Sequence, residues 1–181
     1  MSESLTRRSL LGQAVGAAGI VSALQSATLA NAQAQPAGET RTRMRDTFDF
    51  GWRFLKGDAP GAQQPGFADA GWRSLDLPHD WSIEGPFREQ PGSATSAHLP
   101  TGIGWYRKHF SMPESVRDKK VSIEVDGVYQ NSEVWINGQY LGKRPYGYIS
   151  FQYDLTPHLN AGGENLIAVK VDNSRQPNCR W

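Results

Sequence analysis

Asp80 and Glu84 are carboxylates four residues apart, and His79 beside them adds an imidazole. Residues 77–87 (Leu-Pro-His-Asp-Trp-Ser-Ile-Glu-Gly-Pro-Phe) therefore hold the side chains most able to exchange protons. On a helix that spacing would set both acids on one face. Pro78, Gly85 and Pro86 predict a loop instead, which gives the two acids no shared helical face. His79 and Asp80 serve either a ligand or an internal hydrogen bond, with the structural use favoured for His79 and the functional one for Asp80. Near the other end, Asn178 follows Pro177, where an asparagine suits a turn, and its amide can both donate and accept. Cys179 is the only cysteine, so it forms no internal disulfide, and it lacks the context of a thiol nucleophile. His79, His98, His109 and His158 fall in no His-x-x-x-His or Cys-x-x-Cys spacing, so no metal is expected. Gly102-Ile-Gly104 opens a strand rather than a strand-to-helix turn, so no nucleotide is expected either, and no cofactor is called for.

The elements that would position these residues read as β-strands. Val121, Ile123 and Val125 alternate with polar residues, which buries one face and wets the other. Residues 132–136 and 139–141 flank Asn137-Gly138, a pair suited to the positive φ angles of a two-residue type I′ turn, and so predict a hairpin. Residues 148–153 alternate, with Ile149, Phe151 and Tyr153 together. Residues 165–171 place Ile167, Val169 and Val171 on one side, and residues 105–110 form a further strand. Residues 154–160 predict a short helical turn or capped loop before Gly162-Gly163. Strands with one apolar face, joined by turns and without a long helix, bury those faces only against one another. The fold class is therefore an all-β antiparallel sandwich.

With 181 residues there is room for one sizeable domain and an appendage. The 19 basic and 18 acidic residues nearly cancel, which gives no field favouring nucleic acid or an anionic membrane. Arg7 and Arg8 precede an uncharged, weakly apolar stretch over residues 10–30, and Ala-x-Ala sites follow at 30–32 and 32–34. Residues 1–34 are thus expected to be a cleaved twin-arginine-type signal peptide, leaving no lasting membrane anchor and directing the chain to the periplasm or the exterior. Residues 35–46 read as a flexible leader, and residues 47–181 as the folded domain.

Several stretches resemble, in order and spacing, the N-terminal jelly-roll domain of family 2 glycoside hydrolases, particularly the β-galactosidase branch. They are Phe-Asp-Phe-Gly-Trp-Arg-Phe at 48–54, Trp-Arg-Ser-Leu-Asp-Leu-Pro-His-Asp-Trp at 72–81, Gly-Trp-Tyr-Arg-Lys-His-Phe at 104–110, Val-Trp-Ile-Asn-Gly at 134–138, Gly-Tyr-Ile-Ser-Phe at 147–151 and Asn-Leu-Ile-Ala-Val-Lys-Val-Asp-Asn at 165–173. The resemblance implies a galactose-binding-domain-like jelly roll, incomplete at its C-terminal end, from an exported retaining O-glycosidase. Immunoglobulin-like and barrel domains would follow, the barrel carrying the catalytic glutamates. A retaining enzyme needs two carboxyl groups about 5 to 5.5 Å apart, and no pair here is expected to supply them, so the chain is expected to be inactive alone. The alternative is a free-standing carbohydrate-binding module. In either case the expected partner is a carbohydrate, a β-galactoside or related glycoside.

The resemblance also assigns residues. Asn178 and Asp80 are the candidates for substrate binding, while His79, Trp81 and Trp181 are candidates for sugar or interdomain contact. Arg180 and Trp181 fit the family pattern. Cys179 replaces a more usual serine, and a thiol is a weak hydrogen-bonding partner for a hydroxyl. Residues 99–102 lie where some relatives carry an asparagine that contacts sugar, a contact Leu99 cannot make. Trp52, Trp72, Trp105 and Trp135 are expected in the core or in packing between domains rather than stacked on a pyranose.

Overall fold

The computed structural model describes residues 43–86 and 99–175. The architecture belongs to the unit Arg45–Trp181. The proposed signal segment with Arg7 and Arg8, leader residues 35–42, Phe87, Asn178, Cys179, Arg180 and Trp181 lie outside the described residues.

Eight strands are described: β1 (Trp52–Lys56), β2 (Arg73–Leu75), β3 (Ile103–Ser111), β4 (Ser122–Val125), β5 (Ser132–Ile136), β6 (Gln139–Arg144), β7 (Phe151–Asp154) and β8 (Glu164–Asp172). Six form one sheet in the order β2-β1-β3-β8-β5-β6, and β4 pairs with β7 in a second. Every pairing is antiparallel. The only helical pieces among the described residues are three-residue 3-10 turns, one of which, Thr156–His158, is the turn expected before Gly162-Gly163. The all-β antiparallel reading therefore holds.

The β5–β6 hairpin turns at Asn137 (φ 50°) and Gly138 (φ 83°), as the Asn-Gly pair predicts. Its asparagine does more than turn the chain. Asn137 Nδ2 donates to His158 O and to Asn165 Oδ1, and its Oδ1 accepts from the Leu166 N–H, each at 2.8 Å, tying the hairpin to the start of β8.

The inner face of the large sheet packs Trp52, Phe54, Tyr106, Val134, Ile136, Ile167 and Val171 against Phe151, Tyr153 and Leu155. Val121, Ile123 and Val125 pack at the margin of this core, as their alternation predicts. One strand reading needs correction. Residues 148–150 are not in a strand; β7 begins at Phe151, and Ile149 is exposed, so its alternation with Phe151 and Tyr153 continues the pattern without the pairing. β8 keeps Ile167, Val169 and Val171 together on the inner side, as predicted, and is buried on its other side as well, where Ala168 packs with Ala59, Ala62 and Trp105.

The second burial arises because residues 57–72 cover part of the outer face. Arg107, on β3 and fully buried, fastens them. Its Nε donates to Asp69 Oδ2 at 2.8 Å, and its other nitrogens reach the carbonyls of Ala62, Gln64 and Phe67. Burial pushes the Asp69 carboxyl up, but hydrogen bonds from Arg107 and His109 outweigh it and leave the group below its ordinary 3.8. Trp52 and Trp105 are core residues, and Trp72 and Trp135 pack around the outer cluster.

Candidate functional site

A groove of about 1180 Å³ opens on the inner side of the large sheet. One wall is the inner face, with Trp52, Tyr106, Val134, Val169 and Val171; another is β4, with Ile123 and Val125. His79, Asp80, Trp81 and Ser82 stand at one part of its lining, while Tyr129, Tyr148 and residues 173–175 stand at another.

The segment from His79 to Glu84 is held by its own polar side chains. Asp80 caps a 3-10 turn, Trp81–Ile83, with its carboxylate accepting from the Ser82 N–H at 2.8 Å and from the Ser82 hydroxyl. Glu84 ends that turn and forms a two-pronged ion pair with Arg73 of β2, at 2.7 and 2.6 Å. His79 Nε2 lies 3.2 Å from Glu84 Oε1, and Nδ1 lies 2.7 Å from the Tyr106 hydroxyl. The Arg73 hydrogen bonds, with a smaller contribution from His79, hold the Glu84 carboxyl at about 2, well below its ordinary 4.5. As a carboxylate Glu84 only accepts, so His79 Nε2 carries the proton; in the neutral ring Nδ1 then accepts from Tyr106. Burial, with the charges of Asp80 and Glu84, pushes the Tyr106 phenol well above its usual range and keeps it a donor.

The expected proximity of His79 and Asp80 is therefore not a pairing. His79 is answered by Tyr106 and Glu84, whereas Asp80 is answered by Ser82. The His79 ring also meets Phe54 edge-on at 4.6 Å. Asp80 remains exposed on the groove lining, so its second oxygen can accept from a ligand hydroxyl. Trp81 is only 5% exposed and stacks on Phe54 at 5.7 Å. Its buried indole N–H has no hydrogen-bond partner among the described residues. Gly104 makes the seat for this ring: a β-carbon there would lie 2.9 Å from Trp81 and 3.0 Å from Phe54.

Arg73 and Tyr106 were missed as parts of this loop's support. Neither carries a local signal, because each lies in a strand and reaches its partner only across the fold. A second group, the tyrosines at 129, 146 and 148, was also missed: Tyr148 lay in the run 148–153 read as a strand, and Tyr129 and Tyr146 carry no local signal.

Comparison with known proteins places residues 67–181 in a match to the model described as glycosyl hydrolases family 2, sugar binding domain. A β-galactosidase of Bacteroides ovatus is 58% identical over 140 residues, which are 77% of this chain and 16% of that protein. A β-glucuronidase of Formosa agariphila is 40% identical over 135 residues, 72% of this chain and 14% of that protein. Among solved structures, a β-glycosidase from Bacteroides vulgatus superposes with a TM-score of 0.68 at 52% identity, covering 74% of this chain and 18% of that one. The chain thus spans less than a fifth of the length of these relatives.

Proposed function

Because the chain belongs to glycosyl hydrolase family 2 through that family's N-terminal sugar-binding domain, we propose that it is the opening portion of an exported, retaining, β-galactosidase-like glycosidase. Its own residues form one wall of a glycan site that further domains complete. The observation that carries this reading is the 58% identity to a β-galactosidase, sustained over 140 residues. The groove supports it with an exposed acceptor, Asp80, on its lining. A neutral sugar hydroxyl can donate to such a group.

Retaining hydrolysis requires one carboxyl group to hold a proton for the leaving oxygen while another attacks, the two about 5 to 5.5 Å apart. Glu84 cannot fill the acid role near neutrality, since Arg73 holds it deprotonated down to about pH 2. Asp80 is engaged in capping its turn. The chemistry is therefore assigned to the parent protein, and this chain to binding and shaping. The proposed export signal places Arg7 and Arg8 as the recognised pair, and substituting both with lysine is expected to keep a fused reporter in the cytoplasm.

Hydrolysis of a chromogenic β-galactoside tests the assignment. The purified 181-residue chain should release no chromophore, whereas a polypeptide that joins it to the family's later domains should. Turnover by this chain alone, or none by the extended protein towards any β-galactoside or β-glucuronide, overturns the reading.

A further inference from the structure

Three tyrosines share a surface on the loops 126–131 and 145–150. Tyr129 and Tyr148 have ring centroids 5.4 Å apart at 53°, and Tyr146 and Tyr148 lie 5.6 Å apart at 61°. Tyr146 is 58% exposed and Tyr148 67%, and Ile149 continues the patch. An exposed apolar cluster of this kind marks a contact surface more often than chance exposure does.

The loops that carry it are built to hold position. A β-carbon on Gly147 would lie 2.6 Å from Tyr129 Cα, and one on Gly127 would lie 2.8 Å from Gly147 O, so both glycines are needed for the loops to touch. The Asn131 N–H donates to Pro145 O at 3.3 Å, and the Asp172 N–H to Gln130 O at 3.0 Å, which ties the first loop to the second and to β8. Rings on a fixed backbone lose little freedom when a ligand arrives.

Tyr129 and Tyr148 line the same groove as Asp80 and Trp81, and residues 173–175 reach it as β8 ends. From this continuity we infer that the tyrosines at 146 and 148, with the ring of Tyr129 beside them, form a sugar-binding platform that takes a pyranose ring of a soluble glycoside. The rings supply faces for the C–H surface of the sugar and hydroxyls for its oxygens. Their mutual tilt makes a faceted surface, which fits one or two sugar units at a chain end and not the flat face of a crystalline polysaccharide. The inference rests on the glycosidase reading and deepens it by naming the surface that grips the substrate.

The test is saturation-transfer NMR on the 181-residue chain with methyl β-D-galactopyranoside, using mannitol as a polyol that lacks a ring face. Transfer to the galactoside and not to mannitol is expected, with affinity falling about three- to tenfold in Tyr148→Ala, the loss of one aromatic contact. Tyr140→Ala should bind unchanged, since that tyrosine is comparably exposed but packs against Trp135 around the outer cluster. If Tyr148→Ala melts early, Tyr146→Ala carries the same prediction. Equal transfer to mannitol, unchanged binding in both tyrosine variants, or loss of self-association as their sole effect overturns the platform. The last of these would make it a protein-docking surface. Hydrolysis by the extended polypeptide is read separately, so a failed platform leaves the glycosidase assignment standing.

Discussion

On its outer face the six-stranded sheet carries a guanidinium, Arg107, sealed beneath residues 57–72 by Asp69 and three backbone carbonyls. On its inner face it carries a largely apolar and aromatic cluster without a buried charge, facing a sheet of only two strands and opening into the groove. The difference concerns direction. A buried charge accepts partners only at fixed angles and fails sharply when one is lost. An apolar face accepts any shape that fills it and fails by degrees. The rigid side of the sheet is thus the one away from the candidate site, and the adaptable side is the one that faces the groove.

The largest expected effect breaks the outer closure. Arg107→Ala strands three carbonyls and leaves the Asp69 carboxylate only its outer partners His109 and Arg53, and should lower unfolding free energy by about 3–5 kcal/mol in urea titration. Replacing Asp69 as well should recover little, because the carbonyls of Ala62, Gln64 and Phe67 remain unanswered. Full recovery in the double variant would show that the ion pair alone seals the loop. Within the inner face, Ile136→Val should cost about 0.5–1.5 kcal/mol, since Ile136 is fully buried and its neighbours are free to close around a missing methyl. A loss as large as that of Arg107→Ala would erase the contrast between the two faces.

The smallest effect concerns the loop at the groove. The folded-state pKa of Glu84 is depressed, from 4.5 to about 2, so its ion pair contributes stability above pH 4.5 and loses that contribution as pH falls towards 2. Asp69 is depressed too and acts in the same direction below 3.8. Urea midpoints measured from pH 6 down to pH 2 should therefore decline, and Glu84→Gln should flatten part of that decline. Because Glu84 and Arg73 are solvent-facing, added salt should shrink the Glu84 share more than the Asp69 share.

Local chemistry made the hairpin at Asn137-Gly138 legible, since the turn type demands those residues whatever surrounds them. The strands β3 and β8 were legible from their apolar residues, and the family from its ordered blocks. Partners distant in the chain were not. Arg107 reads as a polar residue on a strand until Asp69, 38 positions earlier, is brought to it. His79 reads as a companion of Asp80 until the fold presents Tyr106 from β3 and Glu84 from the far end of the turn. The tyrosines on 145–150 were hidden for a different reason. Tyr148 falls in a run where Ile149 continues the alternation of Phe151 and Tyr153 in β7, and alternation alone does not say where pairing stops.

Gly104 gives the loop at the groove an address. Its bare α-carbon lets the indole of Trp81 lie against the sheet, with Phe54 as the opposite edge of the slot. A single methyl at that point would have to lift the ring, and with it the turn on which Asp80 and Glu84 are mounted. The height of the groove's rim is in this way tuned from beneath, and side-chain size at position 104 becomes a dial for it that leaves every charge unaltered.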